Sequence, residues 1–309
     1  NGVRGMDGMG KVVLGFSGGV DSAVAARLLL EAGYDVLGLY LDIGLHNGLA
    51  DAQKAAKELG IPLTVRDVRA DLETCVCAPF LHGYLQGRTL NPCLICNPRV
   101  KFRRIAQYAA ETGAQKIATG HYAVVRDGAL FMGHADNDQS YQLCLLPKAY
   151  LTKLLLPLGG MEKPRAREIA RAAGVSIYDK PDSMDICFIP DHDYAAWIET
   201  RAQAPGPGNV VFEKKVVGEH AGIHRYTVGQ RWGETESGRR LYVSAIHPET
   251  NEIEVALWDA LFKTRVEATQ MNWLTEAPVS PFRARVRARH TRWETPDCLV
   301  TPTDTGVLI

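Results

Sequence analysis

Residues 11 to 33 read KVVLGFSGGVDSAVAARLLLEAG and carry the signals of a strand, a turn and a helix in succession. The first part, Lys11 to Phe16, is a short apolar run, which predicts a buried strand. Asp21 to Glu31 has the apolar periodicity of a helix, and Gly33 ends it. Between them lies the segment Ser17 to Ser22, SGGVDS, a glycine-rich turn where a strand passes into a helix.

A turn of this kind suits phosphate. Glycine accepts positive φ and lets backbone N–H groups approach an anion, and the start of a helix adds positive potential. No Gly-Lys-Ser/Thr follows, so this is not a Walker A loop. SGGVDS resembles the PP-loop of ATP pyrophosphatases, which holds pyrophosphate while AMP is transferred to a substrate. The alternative is an ordinary glycine turn in which Asp21 and Ser22 cap the helix.

The rest of the N-terminal half continues the alternation of strands and helices. Further strands are predicted over 34–43, 62–68 and 115–118, helices over 49–59, 72–85 and 100–112, and a loop over 91–97. This order predicts an α/β fold with a parallel sheet covered by helices on both faces. A small helical or mixed region follows, with helices over 162–173 and 193–201, and the chain after the breaker Pro205 to Gly208 is β-rich.

These signals predict four domains. They are a PP-loop ATP-binding domain over 1–160, a helical linker that contacts tRNA over 161–205, a small β domain over 206–265, and an incomplete β-barrel-like domain over 266–309. The 309 residues, 46% of them hydrophobic, are ample for such cores.

Charge and cysteine content restrict the class of protein. The formal net charge is zero, so any RNA contact must come from local basic patches. No apolar run approaches the roughly 18 residues of a membrane span, and the N-terminus lacks a signal-peptide core. The seven cysteines are an odd number spread over a long chain, which indicates a reducing compartment and a cytoplasmic location.

Further short motifs follow the loop in order. They are NPCLICN at 91–97 with Lys101-Phe102, ATGHY at 118–122, DQSY at 138–141, Asp182-Ser183 with ICFI at 186–189, and GQR at 229–231. Together they resemble the tRNA-specific 2-thiouridylase family over nearly the whole chain. The resemblance implies that ATP and Mg²⁺ are used to replace an oxygen by sulfur at C2 of the wobble uridine. It also implies two partners, the tRNA anticodon loop and a sulfur-carrier or cysteine desulfurase protein as donor.

The resemblance carries over to named positions. It implies that ATP contacts Gly15, Phe16, Ser17, Gly18, Gly19, Val20, Asp21, Ser22, Leu41 and Gly120. It implies that the target base and tRNA contact Asn91, Pro92, Cys93, His121, Asn137, Asp138 and Gln139. His121 follows a strand end, where ligands bind in open parallel sheets. For Asp138 and Gln139 the alternative is a helix N-cap with a polar first turn.

The cysteines raise a choice between two sulfur routes. From the residues alone, Cys93 and Cys96 form a CxxC that suits a zinc half-site, a redox pair or coincidence. By the resemblance, Cys187 carries a persulfide and Cys96 attacks it, which leaves a disulfide. Family members carry Asp or Cys at position 93. With Cys93 present, three thiolates could hold a [4Fe–4S] cluster with one iron open to sulfur. Cys75, Cys77 and Cys144 are predicted to lie in the core.

An arginine stripe stands near the C-terminus. Arg283, Arg285, Arg287 and Arg289 alternate with apolar residues, and a period of two places them on one face of a strand. Such a face either follows RNA phosphates or is the solvated side of a half-buried strand.

The chain departs from the family pattern at positions expected to contact the substrate. Leu41 stands where the family has Met, and Asn137 stands where it has Lys.

Two other functions stay open. One is a PP-loop adenylating ligase, which has no need of Cys96 and Cys187. The other is a noncatalytic RNA-binding paralogue, which the intact SGGVDS loop disfavours.

Overall fold

The structure is a computed structural model that describes residues 9–45, 48–181, 186–289 and 296–309. The strands are β1 (Lys11–Gly15), β2 (Asp35–Asp42), β3 (Leu63–Asp67), β4 (Lys116–Ala118), β5 (Ala123–Arg126), β6 (Ala129–Met132), β7 (Leu154–Leu155), β8 (Gly208–Phe212), β9 (Lys215–His220), β10 (Arg231–Glu234), β11 (Arg240–His247), β12 (Glu252–Leu257), β13 (Glu267–Thr269), β14 (Phe282–Arg285), β15 (Asp297–Pro302) and β16 (Gly306–Leu308). The α-helices are α1 (Val20–Glu31), α2 (Leu49–Leu59), α3 (Arg69–Leu72), α4 (Ala78–Leu85), α5 (Pro92–Cys96), α6 (Phe102–Thr112), α7 (Ser140–Leu143), α8 (Lys148–Leu151), α9 (Lys163–Ala172) and α10 (Tyr194–Glu199).

The chain divides into two compact units. The first comprises residues 1–75, 93–184 and 270–305, and the second comprises 76–92, 185–269 and 306–309. The predicted boundaries near 160, 205 and 265 stay a prediction.

A parallel sheet organises the first unit, in the order β3-β2-β1-β4-β7. Val13 of β1 lies opposite Leu37 of β2 on one side and Ile117 of β4 on the other. The predicted α/β class is confirmed, and β7 adds a short strand that the sequence did not indicate. The chain moves from β1 toward β2 and β3, then returns to place β4 on the opposite side. The carboxyl ends of β1 and β4 therefore flank a point where strand order reverses, which is where open sheets bind ligands.

Alternate residues of β1 face two separate cores, as the two-residue period of a strand requires. Val12 and Leu14 are fully buried in the core that also holds residues of α1, α2 and α9. Val13 points the other way and packs with Phe102 and Ile105 of α6. Because both faces are covered, β1 is apolar along its length and is held firmly behind the loop that follows it.

The predicted loop over 91–97 was wrong. The chain forms α5 there, continues through a π-helical stretch at Asn97–Lys101, and runs on into α6. Pro92 is suited to a first helical position because its missing N–H would have no partner there. Pro98 lies within the π-helical stretch and lacks the N–H that an α-helix would use. In the sequence the two prolines indicate a loop. In the structure Pro92 begins helix α5 and Pro98 lies in the π-helical stretch that follows it.

The second unit is β-rich, as predicted. Its sheet has the order β10-β11-β12-β8-β9, antiparallel except where β12 runs parallel to β8. Alternate residues of β11 and β12 fill its core, and these are Leu241, Val243, Ile253 and Val255. In the same unit β13 pairs with β16. None of the helices in the described part of the chain is long and apolar enough to cross a membrane.

Candidate nucleotide and sulfur sites

At Gly18, the first glycine of the SGGVDS loop, the backbone conformation and the close packing both require glycine. Gly18 has φ +75°, and a Cβ there would lie 2.6 Å from the backbone nitrogen of Ala52 and 2.8 Å from the carbonyl oxygen of Gly48. The loop therefore rests directly on the start of α2.

Helix α1 begins at this loop without a side-chain cap. Its N-cap is Gly19, which has no side chain to accept a hydrogen bond, and the Ser22 hydroxyl donates to the Gly19 carbonyl oxygen at 2.9 Å. Neither Asp21 nor Ser22 caps the helix, so the ordinary-turn alternative is not what the structure shows. An uncapped helix start keeps N–H donors and positive potential available for an anion.

Asp21 of the loop is held by two residues, Lys163 and Tyr122, to which the sequence assigned no role at the site. Lys163, at the start of α9, donates from Nζ to Oδ2 of Asp21 at 2.7 Å. The hydroxyl of Tyr122 donates to Oδ1 at 2.6 Å, and the Lys163 ammonium lies 4.8 Å from the centroid of the Tyr122 ring. Tyr122 is part of the ATGHY motif, whereas Lys163 carried no signal beyond opening a predicted helix. Both side chains of the ion pair are about a quarter exposed, at 26% and 28%, so solvent and ligands reach them.

The end of β4 lies against the same loop. A Cβ on Gly120 would lie 2.9 Å from the carbonyl carbon and oxygen of Asp21, so glycine is needed for this close approach. The next residue, His121, shares a 2.7 Å hydrogen bond between Nδ1 and the Thr119 hydroxyl and stacks on Phe102 with centroids 6.0 Å apart. The strand-end location predicted for His121 is therefore next to the SGGVDS loop.

His121 is a neutral imidazole at physiological pH. Burial of the ring, together with the positive charge of Lys101, lowers the pKa of His121 well below its usual value. With Nδ1 engaged by Thr119, Nε2 is the nitrogen available for a substrate. A neutral imidazole can form a hydrogen bond with a nucleic-acid base, but it carries no positive charge with which to form an ion pair with phosphate.

Cys93 and Cys96 lie three positions apart on α5, which places them on the same side of the helix. Burial raises the pKa of the Cys96 thiol, and the nearby Lys101 charge offsets this only in part. The charges of Cys93 and Cys75 act on Cys96 in the same direction as burial, so these three thiols lie near one another in the first unit. Cys77 is buried as predicted, but Cys75 and Cys144 are only partly so.

Cys187 lies in the second unit and is exposed. It belongs to a turn in which the N–H of Ile189 donates to the carbonyl oxygen of Ile186 at 3.0 Å. Its neighbour Phe188 is buried against Phe80 and Trp197, with ring centroids 5.5 Å and 5.4 Å away. The aromatic contacts anchor the turn while the cysteine faces solvent.

Within the ranges that the structure describes, no group of three or more His, Cys, Asp or Glu side chains is arranged to hold a metal ion. Cys93 and Cys96 belong to the first unit and Cys187 to the second, and an iron–sulfur cluster held by the three stays a hypothesis. Asp21 supplies one carboxylate in the SGGVDS loop, the type of ligand that Mg²⁺ takes together with phosphate and water.

The residues predicted to contact tRNA include two at the start of α5 and three around position 138. Asn91 and Pro92, at the start of α5, are partly exposed. Asn137 packs against α9, where one end of its side-chain amide lies 3.0 Å from the Lys163 backbone nitrogen. Asp138 is buried, with a side chain only 3% exposed, and Gln139 binds the backbone of Tyr122. RNA contact by these residues stays a prediction.

The arginine stripe is not a continuous face. Strand β14 ends at Arg285, and beyond it Arg287 pairs with Asp138 at 2.8 Å. Arg283 pairs with the exposed Asp297. The alternation of arginine with apolar residues continues beyond Arg285, where the strand ends. It therefore does not show that the four arginine side chains share one face.

Comparisons with known proteins agree with this geometry. Residues 10–191 match the family model described as the tRNA methyl transferase HUP domain, and residues 198–257 match the tRNA methyl transferase PRC-barrel domain. The chain is 38% identical over 318 residues to the tRNA-specific 2-thiouridylase MnmA of Chlorobium luteolum, covering 96% of this chain and 86% of that protein. It is 39% identical to MnmA of Syntrophotalea carbinolica over 311 residues, covering 94% and 87%. It is 40% identical to MnmA of Salinibacter ruber over 297 residues, covering 86% and 78%. The chain therefore belongs to the tRNA-specific 2-thiouridylase family.

Proposed function

We propose that this chain is an ATP-dependent tRNA uridine 2-sulfurtransferase. The observation that carries the proposal is the continuity of the first unit's site. Gly120 packs against Asp21 of the ATP loop, His121 follows Gly120, and the charge of Lys101 acts on both His121 and Cys96. A phosphate-binding loop, a neutral base-contacting imidazole and a thiol therefore lie in one neighbourhood.

The first step is adenylation. The C2 oxygen of the uridine attacks the α-phosphorus of ATP, pyrophosphate leaves, and the oxygen becomes part of an AMP leaving group. The uncapped start of α1 and the Lys163 ammonium supply the positive charge that departing pyrophosphate needs. Mg²⁺, held at Asp21, supplies neutralisation of phosphate charge when it is bound.

The second step is sulfur transfer, for which a persulfide on Cys187 is the source. The Cys96 thiolate attacks the Cys187 sulfur, the sulfur–sulfur bond of the persulfide breaks, and the outer sulfur leaves with the electron pair. A Cys96–Cys187 disulfide forms, and the freed sulfur displaces AMP at C2. An external thiol must then reduce the disulfide. The exposure of Cys187 suits loading by a sulfur-carrier or cysteine desulfurase protein.

The substrate is an anticodon-loop uridine of tRNA. Loop bases are unstacked at low cost, which lets a base enter a pocket. The matched HUP and PRC-barrel domains are named for methyl transfer. Sulfur transfer fits this chain better, because we assign ATP cleavage to the SGGVDS loop and sulfur transfer to the cysteines. A cytoplasmic location follows from this substrate and stays a prediction.

The test is a reaction of the purified chain with tRNA, ATP, Mg²⁺ and a cysteine desulfurase with cysteine, followed by pyrophosphate release and nucleoside analysis. Wild type should give both pyrophosphate and 2-thiouridine. Cys96→Ala and Cys187→Ala should give no 2-thiouridine while still releasing pyrophosphate, and Cys298→Ala should behave as wild type. ATP binding without pyrophosphate release would indicate the noncatalytic relative. Pyrophosphate release with no thiolated base would indicate an adenylating ligase.

Anaerobic purification with iron and acid-labile sulfide analysis decides between the two sulfur routes. The persulfide route predicts no stoichiometric iron. Iron that is lost on replacing Cys93, Cys96 or Cys187 by Ala would instead establish the [4Fe–4S] cluster.

A further inference from the structure

The segment from Gln270 to Arg289 docks on the first unit. The Asn272 amide donates to the carbonyl oxygens of Cys144 and Leu146 at 2.8 and 2.9 Å. Leu274 packs against the core that contains Val13. This segment lies within the predicted β-barrel-like domain over 266–309, and these contacts join it to the unit that carries the SGGVDS loop.

One side chain of this segment, Arg287, reaches a buried carboxylate. Asp138 accepts hydrogen bonds on Oδ1 from the N–H groups of Gly133 (2.9 Å) and Ser140 (3.0 Å), and on Oδ2 from the Ser140 hydroxyl (3.0 Å) and Arg287 Nη1 (2.8 Å). A carboxylate offers about four lone-pair sites, so these donors occupy them all. A buried charge is tolerated when it is paired, and Arg287, itself only 20% exposed, supplies the opposite charge.

The carboxylate is kept ionised by these partners. Burial would raise the pKa of Asp138, but the hydrogen bonds from Gly133, Ser140 and Arg287 together outweigh burial and lower it.

The turn that Asp138 anchors is connected to the ATP loop. The next residue, Gln139, binds both backbone groups of Tyr122: its side-chain oxygen accepts from the Tyr122 N–H at 2.9 Å, and its N–H donates to the Tyr122 carbonyl oxygen at 2.7 Å. Tyr122 is fully buried, and its hydroxyl donates to Asp21 of the loop. Three sets of hydrogen bonds, linked by the peptide bond between Asp138 and Gln139 and by the Tyr122 side chain, therefore connect Arg287 to Asp21.

We propose that Arg287 is a positioning residue for the ATP reaction. By neutralising Asp138 it fixes the turn at Asp138 and Gln139, and through Tyr122 it fixes Asp21 at the start of α1. The segment from Gln270 to Arg289 thus contributes to the nucleotide site. This inference rests on the proposed function in one respect, that the SGGVDS loop binds ATP.

Isothermal titration of ATP with Mg²⁺ into the full chain tests the inference. Arg287→Ala should weaken ATP binding about tenfold, the change that corresponds to about 1.4 kcal/mol. Arg287→Lys keeps the charge and should stay within about threefold of wild type, since a lysine can still pair with the carboxylate. Arg283→Ala, a change of the same type on a neighbouring position whose partner Asp297 is exposed, should bind ATP as wild type does.

A double-mutant cycle separates positioning from general loss of structure. If Arg287 acts through Asp138, then Arg287→Ala should cost less than about twofold in an Asp138→Asn background, because there is no carboxylate left to neutralise. Additive effects would overturn the relay. If Arg287→Ala does not fold, Arg287→Gln and Arg287→Lys carry the comparison in its place.

Binding of unmodified tRNA, measured by filter retention, completes the test. Positioning predicts that Arg287→Ala leaves tRNA affinity within about twofold of wild type while ATP affinity falls. Lost tRNA affinity with intact ATP affinity would overturn the inference and make Arg287 a phosphate contact. Wild-type protein that binds no ATP would reject the proposed function itself, whereas equal ATP binding by wild type and Arg287→Ala would reject only this inference.

Discussion

Replacement of Gly18 by alanine tests the geometry of the ATP loop most directly. Two separate costs are expected at this residue. Its φ of +75° lies in the left-handed region, which costs an L-residue about 1–2 kcal/mol. In addition, the new methyl group would lie 2.6 Å from the Ala52 nitrogen, and such overpacking costs about 1–3 kcal/mol. The free energy of unfolding should therefore fall by about 2–5 kcal/mol.

Two other glycines serve as matched controls. Gly113 has a similar φ of +71° but nothing within 4 Å of its Cβ position, so Gly113→Ala should show the backbone cost alone, about 1–2 kcal/mol. Gly19 is the loop's neighbouring glycine, with φ −95° and a Cβ position 3.5 Å from the Ser17 hydroxyl. Gly19→Ala should lower stability by about 1 kcal/mol or less, because alanine is a poorer N-cap than glycine but restricts the unfolded chain.

The assay is thermal unfolding without nucleotide, followed by circular dichroism. At roughly 2–4 °C per kcal/mol for a unit of this size, Gly18→Ala should lower the midpoint by roughly 4–20 °C. Gly113→Ala should lower it by only a few degrees. If Gly18→Ala lowers the midpoint no more than Gly113→Ala does, the loop does not rest on the start of α2, and the argument from steric contact fails.

Three further predictions concern side chains around the site. Lys163→Ala should raise the KM for ATP about tenfold or more through loss of a charged contact at Asp21, and Lys163→Arg should restore part of it; an unchanged KM would exclude Lys163 from the nucleotide site. Because the folded pKa of His121 is depressed, the unfolded chain takes up its proton first as pH falls below about 6.5, so stability should decline from pH 7 to pH 5. His121→Gln should remove that part of the decline, measured as unfolding midpoints at both pH values, and an identical decline would contradict it. Asn97→Ala, which leaves the Gln142 carbonyl oxygen without its donor, should cost about 1–3 kcal/mol in urea unfolding, and a cost below about 0.5 kcal/mol would show that water replaces the amide.

The sequence predicted the sheet of the first unit because its signals were local. The apolar run before Ser17 and the periodic helix after it are both complete within a few residues of the loop. Helix α2 was predicted with the bounds that the structure has, because Gly60 ends it in the left-handed conformation. The strands Gly208–Phe212 and Glu252–Leu257 lie in the part of the chain after Pro205 to Gly208 that was predicted to be β-rich.

Contacts between distant residues could not be predicted in this way. Lys163 and Asp21 are 142 residues apart, and Arg287 and Asp138 are 149 apart. Only the packing of α9 and of the C-terminal segment brings them together. The arginine stripe shows the same limit, because its regular period gave no sign that the strand ends at Arg285 and that Arg287 turns inward.

Because helix α1 starts without a side-chain cap, a bound nucleotide should stabilise the fold at this helix end. Without a ligand, the first N–H groups of this helix depend on water, so this end should open more readily than the rest of the unit. Bound ATP would complete the helix, and at a concentration 100 times its Kd it would stabilise the native state by about 2.7 kcal/mol. A cell that runs short of ATP would therefore hold this enzyme in a form that proteases cut faster.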